Sequence, residues 1–227
     1  AFTFNISTVS AFVMAAAGLP VAKHGNRSVS SKCGAADVLE ALGARIDLSP
    51  EESKKVLDQT GMCFLFAPVY HSSMRYAAPV RREMGVRTVF NILGPLASPA
   101  AAKIQLLGVY DEQLAEPLLR VLCKLGVKRA MSVHGNDGLD EISLASGTKV
   151  FELRDGNISC YEFDPREIGF ELCRPQDLRG GDAERNAQIA KAVLSGEKGA
   201  KRDIVLINAG ACLYLAGLCE SIKKGTE

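Results

Sequence analysis

KHGNRSVSSKCGAADVLEALG, residues 23–43, runs from a stretch rich in glycine, serine and cations straight into a helix-forming segment. The first fifteen residues carry almost no bulky apolar side chain. A helix that opens there presents unpaired amides and a partial positive charge at its N-terminus. Backbone N–H groups, hydroxyls, an ammonium and a guanidinium can then gather round one anion. A solvated polar loop between a strand and a helix fits the same composition, so the rest of the chain has to decide.

Outward from that segment, short β-branched runs alternate with longer helical patterns. The runs predict strands over Met62–Phe66, Ile104–Val109, Arg129–Val133 and Ile204–Ile207. Helices are predicted over Ser7–Ala17, Ala35–Leu42, Glu51–Thr60, Ser72–Glu83, Glu112–Leu125, Ala183–Ser195 and Ala209–Ser221. Ser49-Pro50-Glu51-Glu52 has the order of a capping box with proline at the first helical position. LLGV and IVLI are apolar at consecutive positions, as in a parallel sheet covered on both faces. Lys149–Leu153 and Ile158–Phe163, separated by Asp155-Gly156-Asn157, read as a hairpin. Gly94–Pro99 reads as an irregular crossover between subdomains. The pattern defines an α/β fold with a mostly parallel central sheet flanked by helices.

The 227 residues are 47 % hydrophobic, enough for a substantial core as one domain or one domain with an appendage. The 27 basic and 26 acidic residues almost cancel, so no global field recruits nucleic acid or an anionic membrane, and any anion site is local. Seven cysteines stand singly, without CxxC or Cys/His ligand spacing, which reads as reduced thiols in a cytosolic or organelle-matrix protein. The apolar stretch Val9–Ala22 is too short to span a bilayer, is broken by Gly18-Leu19-Pro20, and lacks the charged start of a signal peptide. Ala1–Thr8 starts in mid-motif, and the last helix stops soon after AGACLYLAGL. The chain is therefore expected to be truncated at both ends.

Four constellations carry chemistry. In Thr3-Phe4-Asn5-Ile6-Ser7-Thr8, one polar side chain can cap the Ala-rich helix that follows. The others, with the first-turn amides, suit a phosphate; simple capping is the plainer reading. In the loop, Lys23 and Arg27 supply cations, Gly25 and Gly34 permit close approach, and Ser28, Ser30 and Ser31 offer hydroxyls. His24 and Asn26 are placed to meet a neutral or weakly charged second substrate. In His134-Gly135-Asn136-Asp137-Gly138-Leu139-Asp140-Glu141-Ile142, adjacent carboxylates follow a strand, where ligands of open α/β sheets bind. Asp140 and Glu141 suit Mg²⁺, which takes one or two carboxylates plus substrate phosphates; a solvated acidic turn is the alternative. In Val80-Arg81-Arg82-Glu83, neighbouring arginines point about 100° apart on a helix. One of them can fork onto a substrate carboxylate. No nucleophile–base pair accompanies these groups. The set suits transfer of a group from a pyrophosphate donor through positioning and charge stabilisation.

TFNIST, VAKHGNRSVSSKCGAADVLEALG, VRREMGVRTVFNILGPLASP and VHGNDGLDEIS resemble, in order and spacing, the anthranilate phosphoribosyltransferases of tryptophan biosynthesis. The resemblance implies that the amine of anthranilate displaces pyrophosphate from C1 of 5-phosphoribosyl 1-pyrophosphate. It implies donor contacts at Thr3, Asn5, Ile6, Ser7, Thr8 and Ala35, and along Lys23, His24, Gly25, Asn26, Arg27, Ser28, Val29, Ser30 and Ser31. It places anthranilate at Asn26 and Arg81 with His24 bordering the channel, and Mg²⁺ at Ser7, Asp140 and Glu141. It also implies a homodimer of the full-length enzyme, in the cytoplasm or a plant plastid stroma, with no nucleic-acid or membrane partner.

Departures from the family pattern are equally specific. The Gly-Thr-Gly-Gly-Asp turn that binds pyrophosphate is expected upstream of Ala1, together with the N-terminal helices of a smaller domain. Residues 74–99 are expected to pack against those helices. Cys33 and Ala35 replace smaller or hydroxylated residues, so Ala35 could contact the donor only through its backbone. Two rival readings are a pyrimidine-nucleoside phosphorylase of the same architecture and a non-catalytic nucleotide-binding paralogue. KHGNR and the Asp140–Glu141 pair weigh against the phosphorylase, which holds no pyrophosphate-bound magnesium.

Overall fold

The structure, a computed structural model, describes residues 3–28, 32–77, 83 and 89–227, leaving aside the side chains of Phe90 and Asn91. It opens with helix α1 (Ile6–Ala16), strand β1 (Val21–Gly25), helices α2 (Ala35–Ala41) and α3 (Pro50–Thr60), strand β2 (Met62–Phe66) and the short helix α4 (Ala67–Tyr70). Helix α5 (Phe90–Leu96), strand β3 (Ile104–Gly108), helix α6 (Ala115–Lys124), strand β4 (Arg129–Gly135) and strands β5 (Thr148–Arg154) and β6 (Asn157–Phe163) follow. Helices α7 (Ala183–Leu194), α8 (Ala200–Leu215) and α9 (Ile222–Thr226) complete the order.

The α/β class holds, with the strands in two sheets among the described residues. β1 and β2 pair in parallel, Lys23 opposite Phe64. β3 and β4 pair in parallel, and β5 and β6 extend that sheet antiparallel. The parallel pairing is therefore confined to β1–β2 and β3–β4, and the hairpin supplies the rest. Asp155 and Gly156 close the hairpin with φ of 51° and 82°, the left-handed pair that a two-residue turn of this hand requires.

Local chemistry explains the clearest elements. Ser49 caps α3 by accepting from the Glu52 amide at 3.2 Å, while Glu52 accepts from the Ser49 amide at 2.9 Å. Gly61 ends the same helix at φ 76°. On one face of the larger sheet, Leu118, Leu119 and Leu122 of α6 pack on Leu107, Ala130 and Leu153. On the other, Met131, Val133 and Val150 meet Ile6 and Val9 of α1, Ile189 of α7 and the apolar side of α8.

Three expectations are corrected here. Ile204–Ile207 is not a strand; it lies inside α8, whose Ile204, Val205, Ile207, Asn208, Ala209, Gly210 and Ala211 are all buried. A helix buried on every side shows the same unbroken apolar run as a covered strand. Lys23–Gly25, read as the start of a loop, instead end the strand Val21–Gly25, in which every residue is half-buried. Gly94–Leu96 closes α5 instead of forming an irregular crossover, and the helix end leaves two carbonyls for outside donors. Pro95 accepts from Gln105 Nε2 at 2.9 Å, and Gly94 faces His24 Nδ1 at 3.2 Å. Ser72–Glu83 is helical at 74–77 and at Glu83; its remaining central part lies outside the described residues.

Candidate active site

The acidic turn after β4 is anchored from below. Leu139, Ile142 and Leu144 are 6 %, 0 % and 1 % exposed and join the main core. Each such side chain contributes roughly 1.5–3 kcal/mol on burial, so Asp140 and Glu141 ride on a fixed base. Asp137 braces the turn: its carboxylate accepts from the Leu139 amide at 3.3 Å and the Ser143 hydroxyl at 2.9 Å. That carboxylate is thereby committed to the loop, and the Asp140–Glu141 pair is what faces outward from it. At the end of β3, Gly108 lies directly against the Asp140 backbone, where a methyl group would overlap the Asp140 carbonyl.

Residues distant in sequence meet the pair. The Ser7 backbone, in the first turn of α1, lies near enough to Glu141 to pull its pKa slightly down, and Lys23 Nζ donates to the Ser7 hydroxyl at 3.1 Å. Burial and the neighbouring Asp140 push Glu141 up to about 8, and Lys23 only partly offsets them. Burial likewise lowers the Lys23 ammonium, with Glu141 and then Cys212 of α8 opposing the shift. The Cys212 thiol is itself pushed up to about 12 by burial and by Glu141. Burial and the neighbouring Asp140 thus outweigh the one ammonium that faces Glu141. Thr8 Oγ1, 1 % exposed at the residue level, has no hydrogen-bond partner among the described residues.

Two side chains expected at the donor are engaged elsewhere. The Arg27 guanidinium bonds Asp37 Oδ1 at 3.0 Å and both Glu40 oxygens, and lies 5.7 Å over the Phe66 ring. Two carboxylates one turn apart on α2 outbid a solvated loop position for that charge. Burial works against the Asp37 carboxylate, but the Gly34 and Ser28 amides and Arg27 hold it below its ordinary range. Asn5 does not cap α1: its Nδ2 donates to the Cys33 carbonyl at 3.3 Å and its Oδ1 accepts from Asn186 at 3.0 Å.

The remaining expected residues fall into three groups. Ile6 is 1 % exposed, so only its backbone could meet a ligand, and Thr3 is bridged to Arg179. Asn26 Oδ1 accepts from the Arg27 amide at 2.7 Å and its carbonyl from the Ala36 amide at 3.2 Å, holding the loop against the start of α2. Ser28 donates its amide to Asp37 at 3.1 Å. Gly25 passes the Phe64 ring so closely that a Cβ would stand 2.9 Å from it, and that Cβ would also meet Ala35 at 3.3 Å. Val29, Ser30, Ser31 and Arg81 lie outside the described residues.

Sequence reasoning did not single out His71. Its ring meets His24 edge to face, centroids 5.1 Å apart, and Nε2 of both rings is buried without a partner among the described residues. Two histidines 47 positions apart carry no joint signal until α4 folds over the end of β1. Burial lowers the His24 pKa, the Gly94 carbonyl opposes, and His71 adds to the lowering. A base whose folded pKa is depressed favours the fold in its neutral form. That contribution is present above the ordinary 6.5 and is lost as pH falls through the folded value. In an NMR titration, His24 should change charge below 6.5; a midpoint at or above that value would contradict a neutral ring.

The donor set fits magnesium. Asp140, Glu141 and the Ser7 hydroxyl are hard oxygen ligands, and a carboxylate raised by burial beside a second one is relieved by a divalent cation. No cluster of three or more acidic, cysteine or histidine ligands gathers among the described residues. Two carboxylates, with phosphate oxygens and waters filling the other positions, is the coordination Mg²⁺ usually takes.

The chain belongs to the glycosyl transferase family, whose a/b-domain model matches residues 1–227. It is 62 % identical over 214 residues to an anthranilate phosphoribosyltransferase of Ruminiclostridium cellulolyticum, covering 94 % of this chain and 63 % of that protein. The crystal structure of the Thermus thermophilus anthranilate phosphoribosyltransferase superposes with a TM-score of 0.94 at 44 % identity, over 100 % of this chain and 67 % of that one. The Saccharomyces cerevisiae enzyme, solved in complex with PRPP and Mg, matches with a TM-score of 0.89 at 30 % identity, over 99 % of this chain and 64 % of that one. The chain thus spans somewhat under two thirds of the length of the first curated relative.

Proposed function

We propose that this site transfers the phosphoribosyl group of 5-phosphoribosyl 1-pyrophosphate to the amine of anthranilate, with release of pyrophosphate. The observation that carries the reading is the approach of Lys23, bonded to the Ser7 hydroxyl, to Glu141, whose charge it influences. Those groups come from three separate segments, and together they offer the cation, hydroxyl and carboxyl that suit a metal-bound diphosphate.

In the reaction, the bond from C1 of the ribose to the pyrophosphate oxygen breaks and a bond from C1 to the anthranilate nitrogen forms. The amine is neutral near pH 7 and releases its proton to solvent as the new bond completes, so no obligatory base is required. The departing diphosphate accumulates charge, and that is where the protein acts. Lys23 and the hydroxyls of Ser7 and Thr8 would hold its oxygens, while the backbone of Gly25 to Ser28 approaches from the loop. Asp140, Glu141 and Ser7 would hold Mg²⁺, which supplies neutralisation of the leaving group. Asn26 and Arg81 would orient anthranilate, with His24 and His71 offering Nε2 atoms, unpartnered among the described residues, at the edge of its channel. We also assign residues 74–99 as the face on which a helical domain packs. Tyr76, Val89 and Leu93 expose apolar side chains there, Tyr76 by 70 %.

Loss of anthranilate fluorescence in the presence of donor and Mg²⁺ tests the reading, with thymidine phosphorolysis as the competing assay. Turnover of thymidine without turnover of anthranilate would reject it. Arg81→Ala should raise KM for anthranilate on the order of a hundredfold, as expected when a paired carboxylate loses its fork. KM for the donor should stay nearly constant, and equal rises in both would remove Arg81 from the acceptor site.

A further inference from the structure

Asn208 is 1 % exposed, sits in the middle of α8, and lies 66 positions from the residue it grips. Its Oδ1 accepts from the Ile142 amide at 3.0 Å and its Nδ2 donates to the Ile142 carbonyl at 2.9 Å. The second Nδ2 hydrogen meets the Ile204 carbonyl at 2.9 Å, so both donors and the acceptor of the carboxamide are used. Ile142 directly follows Glu141, and its peptide groups are pinned from outside the loop as a neighbouring strand would pin them. One turn further along the same face of α8 is Cys212, which interacts electrostatically with both Glu141 and Lys23. The helix therefore holds the acidic turn at its backbone through Asn208.

We propose that Asn208 is a positioning residue for the carboxylate pair: its two bonds to Ile142 fix the backbone next to Glu141, on the side of the turn near Lys23, before any cation or diphosphate arrives. The inference rests on the reading of Asp140 and Glu141 as the magnesium-holding groups. Only a carboxamide does this at that position. Aspartate keeps the acceptor and loses the donors, and leucine fills the space but leaves the Ile142 amide and carbonyl buried without partners. Groups that orient metal ligands from behind typically change metal affinity 10- to 100-fold when removed.

The test is calorimetric binding of inorganic pyrophosphate to the whole protein at several Mg²⁺ concentrations, in the wild type, Asn208→Leu, Asn208→Asp and Glu141→Gln. The fitted stoichiometry counts folded molecules, so a loss of folded protein does not imitate a loss of affinity. The Asn208 variants should raise the Mg²⁺ requirement about tenfold or more, with KM for anthranilate little changed. Asn208 variants that bind like the wild type, while Glu141→Gln loses binding, would overturn the positioning role and leave the site standing. A wild type whose pyrophosphate binding ignores Mg²⁺ would overturn the site itself, and this inference with it. Amide exchange in the unmodified, ligand-free protein decides the matter even if the variants do not fold. The Ile142 amide should exchange as slowly as those in the centre of α8, and exchange at the rate of an open loop would contradict a clamp already in place.

Discussion

Asp140→Asn combined with Glu141→Gln should abolish Mg²⁺-dependent binding of phosphoribosyl pyrophosphate and lower kcat/KM on the order of 10³-fold, without weakening the fold. The functional loss follows from removing both hard anionic ligands from a site whose chemistry is charge stabilisation of a leaving diphosphate. The stability claim follows from the environment of Glu141. Burial and Asp140 raise it to about 8, so near neutral pH the fold already prefers the protonated form, which glutamine imitates in shape. A carboxyl raised in this way supports the native state fully at acid pH, and that support is lost as pH rises through about 8. The double variant should therefore gain on the wild-type melting temperature as pH rises from about 4.5 to about 8, with the difference level above that. Calorimetry with and without Mg²⁺, beside thermal melts across that range, reads both effects. Retained Mg²⁺ dependence, or a large loss of stability, would count against the assignment.

Gly108→Ala should damage the site from behind. The added methyl group would occupy the position of the Asp140 carbonyl, so either β3 or the acidic turn must move. Neither is compliant: Gly108 is in register with Val133 on β4, and the turn is fixed by buried Leu139 and Ile142. Overpacking of this kind costs about 1–3 kcal/mol, and a shift of roughly 1 Å in a positioned ligand lowers rate about a hundredfold. Denaturant unfolding and donor binding should both report the change. A variant neutral in both would show that the contact is not a constraint on the carboxylates.

The parts legible in the sequence are those whose cause is local. Ser49 to Glu52 names its own capping box, Asp155-Gly156 its own turn, and the acidic pair its position after a strand. The adjacency of Lys23 and Glu141 was expected on chemical grounds, from the need of one diphosphate for both a cation-rich loop and a carboxylate pair, and the fold brings them together through Ser7. What the sequence hid depends on contacts between distant segments. IVLI has the same apolar pattern whether a strand or a buried helix carries it, and only the length of α8 separates the two. β1 mixes apolar and polar residues because one side of it lines the site, which removes the usual strand signature. Arg27 carries the charge a phosphate needs, but Asp37 and Glu40 reach it first from the next helix. His71, Asn186 and Asn208 are single polar residues in unremarkable surroundings; their partners lie on other segments.

The central claim, that the lysine strand and the acidic turn close on one diphosphate through a divalent cation, is tested most directly by a crystal structure of the protein with Mn²⁺ and pyrophosphate. Anomalous scattering should place the ion about 2.0–2.3 Å from carboxylate oxygens of the Asp140–Glu141 pair and from a pyrophosphate oxygen, with Lys23 Nζ on the same pyrophosphate. An ion bound away from the pair, or a pyrophosphate seated out of reach of Lys23 and Ser7, would contradict it.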